Sequence, residues 1–409
     1  MSELLPPAEP GEVGLDAGRL SRLDRFLCSQ VDRGRMPGYL LAVARHGRLA
    51  HLGRYGRRDV ERDLPVELDT VFRVFSMTKP VVSVAAMSLY EEGAFGLDDP
   101  LSTWLPEFAQ PRVHVGGGAD APVTVPAVGP IRIRHLLTHT AGLTYGFHGV
   151  HPVDARYRAA GFGLGLPPHG SLAEACALLA EQPLLFEPGT EWNYSVATDV
   201  LGRLLEVLTG TDLPTVLADR VLGPLGMVDT AFHVPGERRD RLARLYRAGP
   251  DGPVADDALG AAVHAPPAAP SGGGGLVSTL PDYLRFAEML RRGGELDGVR
   301  VLGPRTVAHM TTNHLPGGTD LAGYGRPLYA ETPFHGVGFG LGFAVVLDPV
   351  RYGTPTSRGE FGWGGAASTV FWVDPVEDLA VVLLTQLMPP PALPIRPTLR
   401  QLVAQAIVD

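Results

Sequence analysis

Phe75-Ser76-Met77-Thr78-Lys79-Pro80 is the stretch on which the reading of this chain turns. Among the 35 lysine and arginine residues Lys79 is the one lysine, and all the rest are arginine. A chain that prefers arginine everywhere else keeps lysine where arginine cannot serve. Lysine gives up its proton when desolvated or set beside positive potential, whereas arginine stays charged. Ser76 lies three residues earlier, and on a helix such positions share one face. A serine hydroxyl becomes a nucleophile when a neighbouring base takes its proton. If Ser76 opens a helix, the free N–H groups and positive dipole end favour a developing oxyanion and disfavour the ammonium form of Lys79.

Pro80 bears on where that helix begins. It cannot donate to the carbonyl four residues back and clashes there inside a helix, so residues 76–79 are expected to form the first turn. The run Val81, Val82, Val84, Ala85, Ala86, Met87 and Leu89 is apolar all round, which predicts a buried helix. It should stop at Glu91-Glu92-Gly93, with glycine past the end. Alone, the pair also fits an N-cap serine beside a solvated lysine. The lone lysine and two further motifs favour the catalytic reading.

Composition limits the alternatives. The chain has 409 residues, 45% hydrophobic and 19% charged, enough for two packed subdomains. A net charge of −9 argues against a nucleic-acid or anionic-membrane partner. Cys28 and Cys176 are too few for a disulfide framework. The first residues carry neither a basic nor an apolar leader region, and no run reaches 18 apolar residues, so a cytoplasmic enzyme is expected. No metal or cofactor is expected, and the partner is a small-molecule substrate.

In chain order, residues 15–34 read as an amphipathic helix, and 38–45 with 48–55 as a hairpin across His46-Gly47. Residues 111–130 lack periodicity and read as a surface excursion. Residues 131–143 read as a short helix closed by Gly142. His135 and His139 within it have zinc-face spacing but no glutamate of the H-E-x-x-H kind, so capping and hydrogen bonding are the expected roles. Tyr145 to Gly170 reads as a loop, with Tyr145 and Phe147 on a pocket wall. Tyr194 falls on the turn into a helix bearing Val196, Val200, Leu201, Leu204, Leu205 and Leu208. Gly272–Gly275 is no P-loop, because no lysine follows it. Strands are expected at 337–347, 368–373 and 379–386, and a closing helix near 397–408. Short turns favour antiparallel pairing, so the first and last parts of the chain should share one sheet.

Ser76-Met77-Thr78-Lys79 is an S-x-x-K motif of the kind found in β-lactamases and penicillin-binding proteins. Trp192-Asn193-Tyr194-Ser195-Val196 resembles the tyrosine element of class C β-lactamases and their related esterases. Gly362-Trp363-Gly364-Gly365-Ala366 resembles their third motif, and residues 134–143 and 273–279 resemble further recurrent segments. The likeness covers nearly the whole chain. It implies an antiparallel sheet flanked by helices, the β-lactamase/transpeptidase-like fold, in an α/β unit (1–75 and 271–409), with an inserted all-helical unit (76–270) and the site between them. It also implies Ser76 as acyl acceptor, Lys79 and Tyr194 as the proton carriers, and the N–H groups of Ser76 and Ala366 as the oxyanion hole. Tyr194 by itself would also fit a core aromatic with a satisfied hydroxyl. Met77, Trp192, Val196, Trp363, Gly364 and Gly365 join Tyr145 and Phe147 as expected pocket residues.

The departures narrow the substrate. Class C β-lactamases carry Asn where Val196 stands and the lysine of K-T-G where Trp363 stands. Without that amide and that cation the pocket is apolar and has no carboxylate anchor. The combination resembles the β-lactamase-like carboxylesterases (family VIII) and related acyltransferases. A serine carboxylesterase for short-to-medium acyl esters is therefore expected. The alternatives are an acyltransferase with the same acyl-enzyme, a weak β-lactamase or D-amino-acid peptidase, and a non-catalytic binding protein.

Overall fold

A computed structural model describes residues 5–167, 169–326 and 334–409. One antiparallel sheet organises it. Its strands are β1 (Gly38–Arg45), β2 (Arg48–Asp59), β3 (Leu64–Pro65), β4 (Val337–Phe339), β5 (Ala344–Val346), β6 (Phe361–Gly364), β7 (Val370–Asp374) and β8 (Leu379–Leu384). They lie in the order β4-β5-β6-β7-β8-β1-β2-β3. The two ends of the sequence meet where β1 pairs with β8, Leu40 opposite Leu384 and Arg45 opposite Leu379. The β1–β2 turn works because His46 and Gly47 both take left-handed backbone, φ 53° and 74°.

β1 is buried along its whole length, so alternate residues serve two cores. Leu41 and Val43 face one layer with Leu20, Leu23 and Leu27 of α1 (Ala17–Asp32) and Leu399 and Val403 of α5 (Arg396–Ala404). Leu40, Ala42 and Ala44 face the other layer. There lie the serine helix α2 (Thr78–Glu91), α3 (Ala197–Thr209) and α4 (Leu280–Arg291). Every residue of α2 from Thr78 to Leu89 is buried, as its unbroken apolar run requires, and Gly93 follows its end at φ 77°.

Four sequence expectations need correction. Residues 112–126 form an exposed hairpin, Arg112–Gly117 with Pro122–Pro126, rather than an unstructured excursion. Val113, Val115, Val123 and Val125 do alternate with polar residues, but the runs are short and flanked by glycine and proline, and only Val113 is buried. The helix expected over 131–143 is only Ile133–Leu137; the chain leaves it at Thr138, and His139 sits at φ 56°. The loop 145–170 contains a helix, Pro152–Ala159, capped by His151. The strand expected over 337–347 is two strands, because residues 340–343 turn onto α2. Gly342, at φ 97°, lies so close that a Cβ would come within 2.3 Å of Ser83 Oγ.

A second glycine brings the sheet against the start of α2. At the end of β6 a Cβ on Gly365 would stand 2.4 Å from the Val74 carbonyl oxygen and 2.3 Å from Thr369 Oγ1. Gly365→Ala is expected to cost about 1–3 kcal/mol through this overlap, read as a lower thermal midpoint. An unchanged midpoint would mean that the sheet and the helix start are not held together at this point.

Candidate active site

Ser76 stands where strand gives way to helix. Phe72–Arg73 pairs with Val277–Ser278, a short 3₁₀ turn covers Phe75–Met77, and α2 begins at Thr78. Phe75 takes φ 44°, a left-handed conformation that costs a non-glycine residue on the order of 1–3 kcal/mol. The surroundings hold that turn firmly. Tyr283 donates its hydroxyl to the Met77 carbonyl at 2.8 Å, and the Leu276 N–H donates to Thr78 Oγ1 at 3.0 Å.

Ser76 is partly exposed and Lys79 is only 2% exposed. Lys79 Nζ donates to Ser76 Oγ at 3.3 Å and to the Gly273 carbonyl at 2.5 Å. The same nitrogen lies 4.5 Å from the centre of the Tyr194 ring and 5.4 Å from that of Tyr145, distances at which a ring face attracts a cation. Serine, lysine and tyrosine thus converge on one spot. The Tyr194 hydroxyl accepts from Trp363 Nε1 at 3.3 Å, which ties β6 to this cluster. The backbone beside Tyr194 is also pinned: its carbonyl contacts His148 Nε2 at 2.8 Å, and Asn193 donates to the Leu143 carbonyl at 2.9 Å.

The close packing of Gly365 on Val74 carries Ala366 to the start of the serine helix. Neither the Ser76 nor the Ala366 N–H has a protein acceptor among the described residues. Trp363 and Gly364 are partly exposed beside it, and Phe147 is exposed and stacked on Tyr145 with ring centres 4.6 Å apart. Met77, Trp192 and Val196 do not reach the surface. Each is at most 1% exposed, so they back the cluster rather than line an opening. Trp192 does so by stacking behind Tyr194 at 6.3 Å.

Sequence reasoning missed two parts of this arrangement. The first is Asp199, buried on α3, which accepts from Ser271 Oγ at 2.6 Å and from the Gly273 N–H at 2.9 Å. An acid among apolar helix residues was the available signal. The second is the role of His139. Its ring stands edge-on to Tyr194, Trp192 and Phe339 at 5.0, 6.1 and 5.5 Å, with Nδ1 3.2 Å from Ser195 Oγ. Burial, reinforced by the charge of Lys79, holds His139 well below the ordinary histidine range. His135 turns Nδ1 back to the Arg132 N–H at 3.1 Å, a capping contact.

A serine, a lysine and a tyrosine gather at the start of a buried helix, against an interior strand of an antiparallel sheet. The chain belongs to the Beta-lactamase family, whose model matches residues 23–405. It is 39% identical over 363 residues to Protein Rv1367c of Mycobacterium tuberculosis, covering 88% of each chain. It is 36% identical over 396 residues to Esterase EstB of Burkholderia gladioli, covering 92% of this chain and 93% of that one. Among solved structures it superposes on EstCE1, described as a hydrolase with promiscuous acyltransferase activity. The TM-score is 0.80 at 33% identity, over 95% of this chain and 99% of that one. Among the described residues no helix is long and apolar enough to cross a membrane.

The buried histidine has a consequence for pH. Its folded affinity for protons is depressed, so below about pH 6.5 the unfolded chain binds more protons and stability falls with acidification. Between pH 6.5 and 5 the thermal midpoint of the wild type should drop more steeply than that of His139→Gln. Parallel slopes would mean that His139 is not kept neutral by the fold.

Proposed function

We propose that this chain is a serine carboxylesterase acting on short-to-medium acyl esters through an acyl-enzyme on Ser76. The observation that carries this is Lys79 Nζ held buried at 3.3 Å from Ser76 Oγ with the Tyr194 ring beside it. Ser76 Oγ attacks the ester carbonyl carbon as its proton passes to Lys79. The N–H groups of Ser76 and Ala366 receive the oxyanion, for which two donors aimed at one oxygen suffice. Collapse breaks the ester bond, and the leaving alcohol takes a proton through Tyr194 and Lys79. Water then attacks the acyl carbon as the same pair accepts its proton, and that proton returns to Ser76 Oγ as its bond to the acyl carbon breaks and the acid departs.

The site lies between a sheet unit (1–75 and 271–409) and a helical unit (76–270). Trp363, Gly364, Tyr145 and Phe147 form the apolar wall for the acyl or alcohol group. Trp363 in place of a lysine leaves that wall without the cation that would hold a β-lactam carboxylate. The name of the EstB relative supports ester hydrolysis, and the description of EstCE1 supports acyl transfer to an alcohol as the second reading. The two differ only in whether water or alcohol meets the acyl-enzyme.

Paired rates on a short p-nitrophenyl ester and a chromogenic cephalosporin, with and without added alcohol, test this. Ester cleavage should far exceed lactam opening and vanish in Ser76→Ala. Lys79→Arg should be nearly as inactive, and Tyr194→Phe should lose on the order of 10²-fold. Efficient lactam opening, or turnover that survives Ser76→Ala, would overturn the reading. Acceptor-dependent product outrunning hydrolysis would favour the acyltransferase.

A further inference from the structure

Lys79 is held by a carbonyl, and the residue that owns that carbonyl is held by an acid. The segment Ser271–Gly275 runs against α3 with almost no side chains between them. A Cβ on Gly272 would stand 2.5 Å from the Thr198 carbonyl oxygen. One on Gly273 would stand 2.5 Å from Asp199 Oδ2 and 2.9 Å from the Tyr145 hydroxyl. The Asp199 carboxylate therefore packs directly on Gly273 and fixes it through the Ser271 hydroxyl and the Gly273 N–H. On the far side of Gly273 its carbonyl receives Lys79 Nζ.

We propose that Asp199 is the positioning residue for Lys79, aiming the Gly273 carbonyl at Nζ and supplying the negative charge that faces the lysine from α3. The proposal rests on the reading of Lys79 as the base. Asp199 touches no reacting atom; it acts through Gly273 and through its field. The other groups facing Lys79 are Tyr194, Tyr145 and His139. Those facing Asp199 are Lys79, Tyr145 and the buried Cys176 thiol on the helix Leu172–Ala180. Burial pushes the Asp199 carboxyl up from its ordinary range, while the Ser271 hydroxyl, the charge of Lys79 and the Gly273 N–H pull it back. Burial also raises the Tyr145 and Cys176 acids, so both stay protonated and neutral near pH 7. Asp199 is the one carboxyl group in this set.

The single lysine makes a direct test possible. Protein labelled with ε-¹³C-lysine gives one side-chain signal, whose pH titration reports Lys79 without any assay of turnover. Removing a negative charge disfavours the ammonium form, so the midpoint in Asp199→Asn should fall by about one pH unit or more. The acid limb of kcat/KM should move the same way. On the plateau kcat should drop on the order of tenfold as Nζ loses its fixed partner, with KM within about twofold. If Asp199→Asn does not fold, Asp199→Ser, which keeps an oxygen for the Gly273 N–H, takes its place with the same expectation. A folded neutral variant whose Lys79 midpoint does not move overturns the proposal, even if its melting temperature falls. Turnover surviving in Ser76→Ala would instead sink the esterase reading and leave the lysine titration standing.

Discussion

A lysine nitrogen taken out of water is the constraint around which this molecule is arranged. Desolvating an ammonium costs several kcal/mol even after relaxation, so the fold must offer Nζ something in return. A hydrogen bond from a charged donor contributes about 1.5–3 kcal/mol, and a desolvated aromatic face about 2 kcal/mol. The Gly273 carbonyl supplies the first, and the rings of Tyr194 and Tyr145 supply the second. No single one of these offsets the cost, and so three different segments must converge on one atom. That convergence also places the serine hydroxyl within reach.

The demand propagates outward through backbone rather than side chains. Gly273 can pack directly on Asp199 because it carries no side chain, and Gly365 and Gly342 let the sheet and the β4–β5 turn close on the serine helix. The turn at Ser76 is clamped from behind by Tyr283 and Leu276. Strain at Phe75 is sustainable in such a frame, since the turn has no freedom to relax. The tyrosine side is built differently, from aromatic packing: His139, Trp192 and Phe339 form a dry wall against Tyr194. A neutral histidine suits that wall, because a second cation beside Lys79 would repel it.

Much of this was legible in the sequence, for identifiable reasons. The lone lysine, the apolar run from Val81 and the hairpin at His46-Gly47 are local signals, and the structure keeps each of them. The pairing of the first strand with the last followed from short turns near the C-terminus. What escaped were features created by long-range approach. Asp199 is an unremarked acid until Ser271 and Gly273 arrive beside it, 72 and 74 residues away in sequence. Met77, Trp192 and Val196 lie within or beside the motifs and were expected in the pocket, but sequence adjacency does not say which way a side chain points. The hairpin at 112–126 carries its alternating valines in runs too short to stand out among the surrounding glycines and prolines.

Hydrolysis by the proposed route requires Ser76 to carry the acyl group, and that intermediate can be trapped. The enzyme would be mixed with a short p-nitrophenyl ester, quenched in acid within the first turnovers, digested and mapped by mass spectrometry. One acyl group per chain is expected, on the peptide bearing Ser76, appearing in step with the p-nitrophenol burst. Steady turnover with no acyl adduct, or an adduct on another residue, would contradict it.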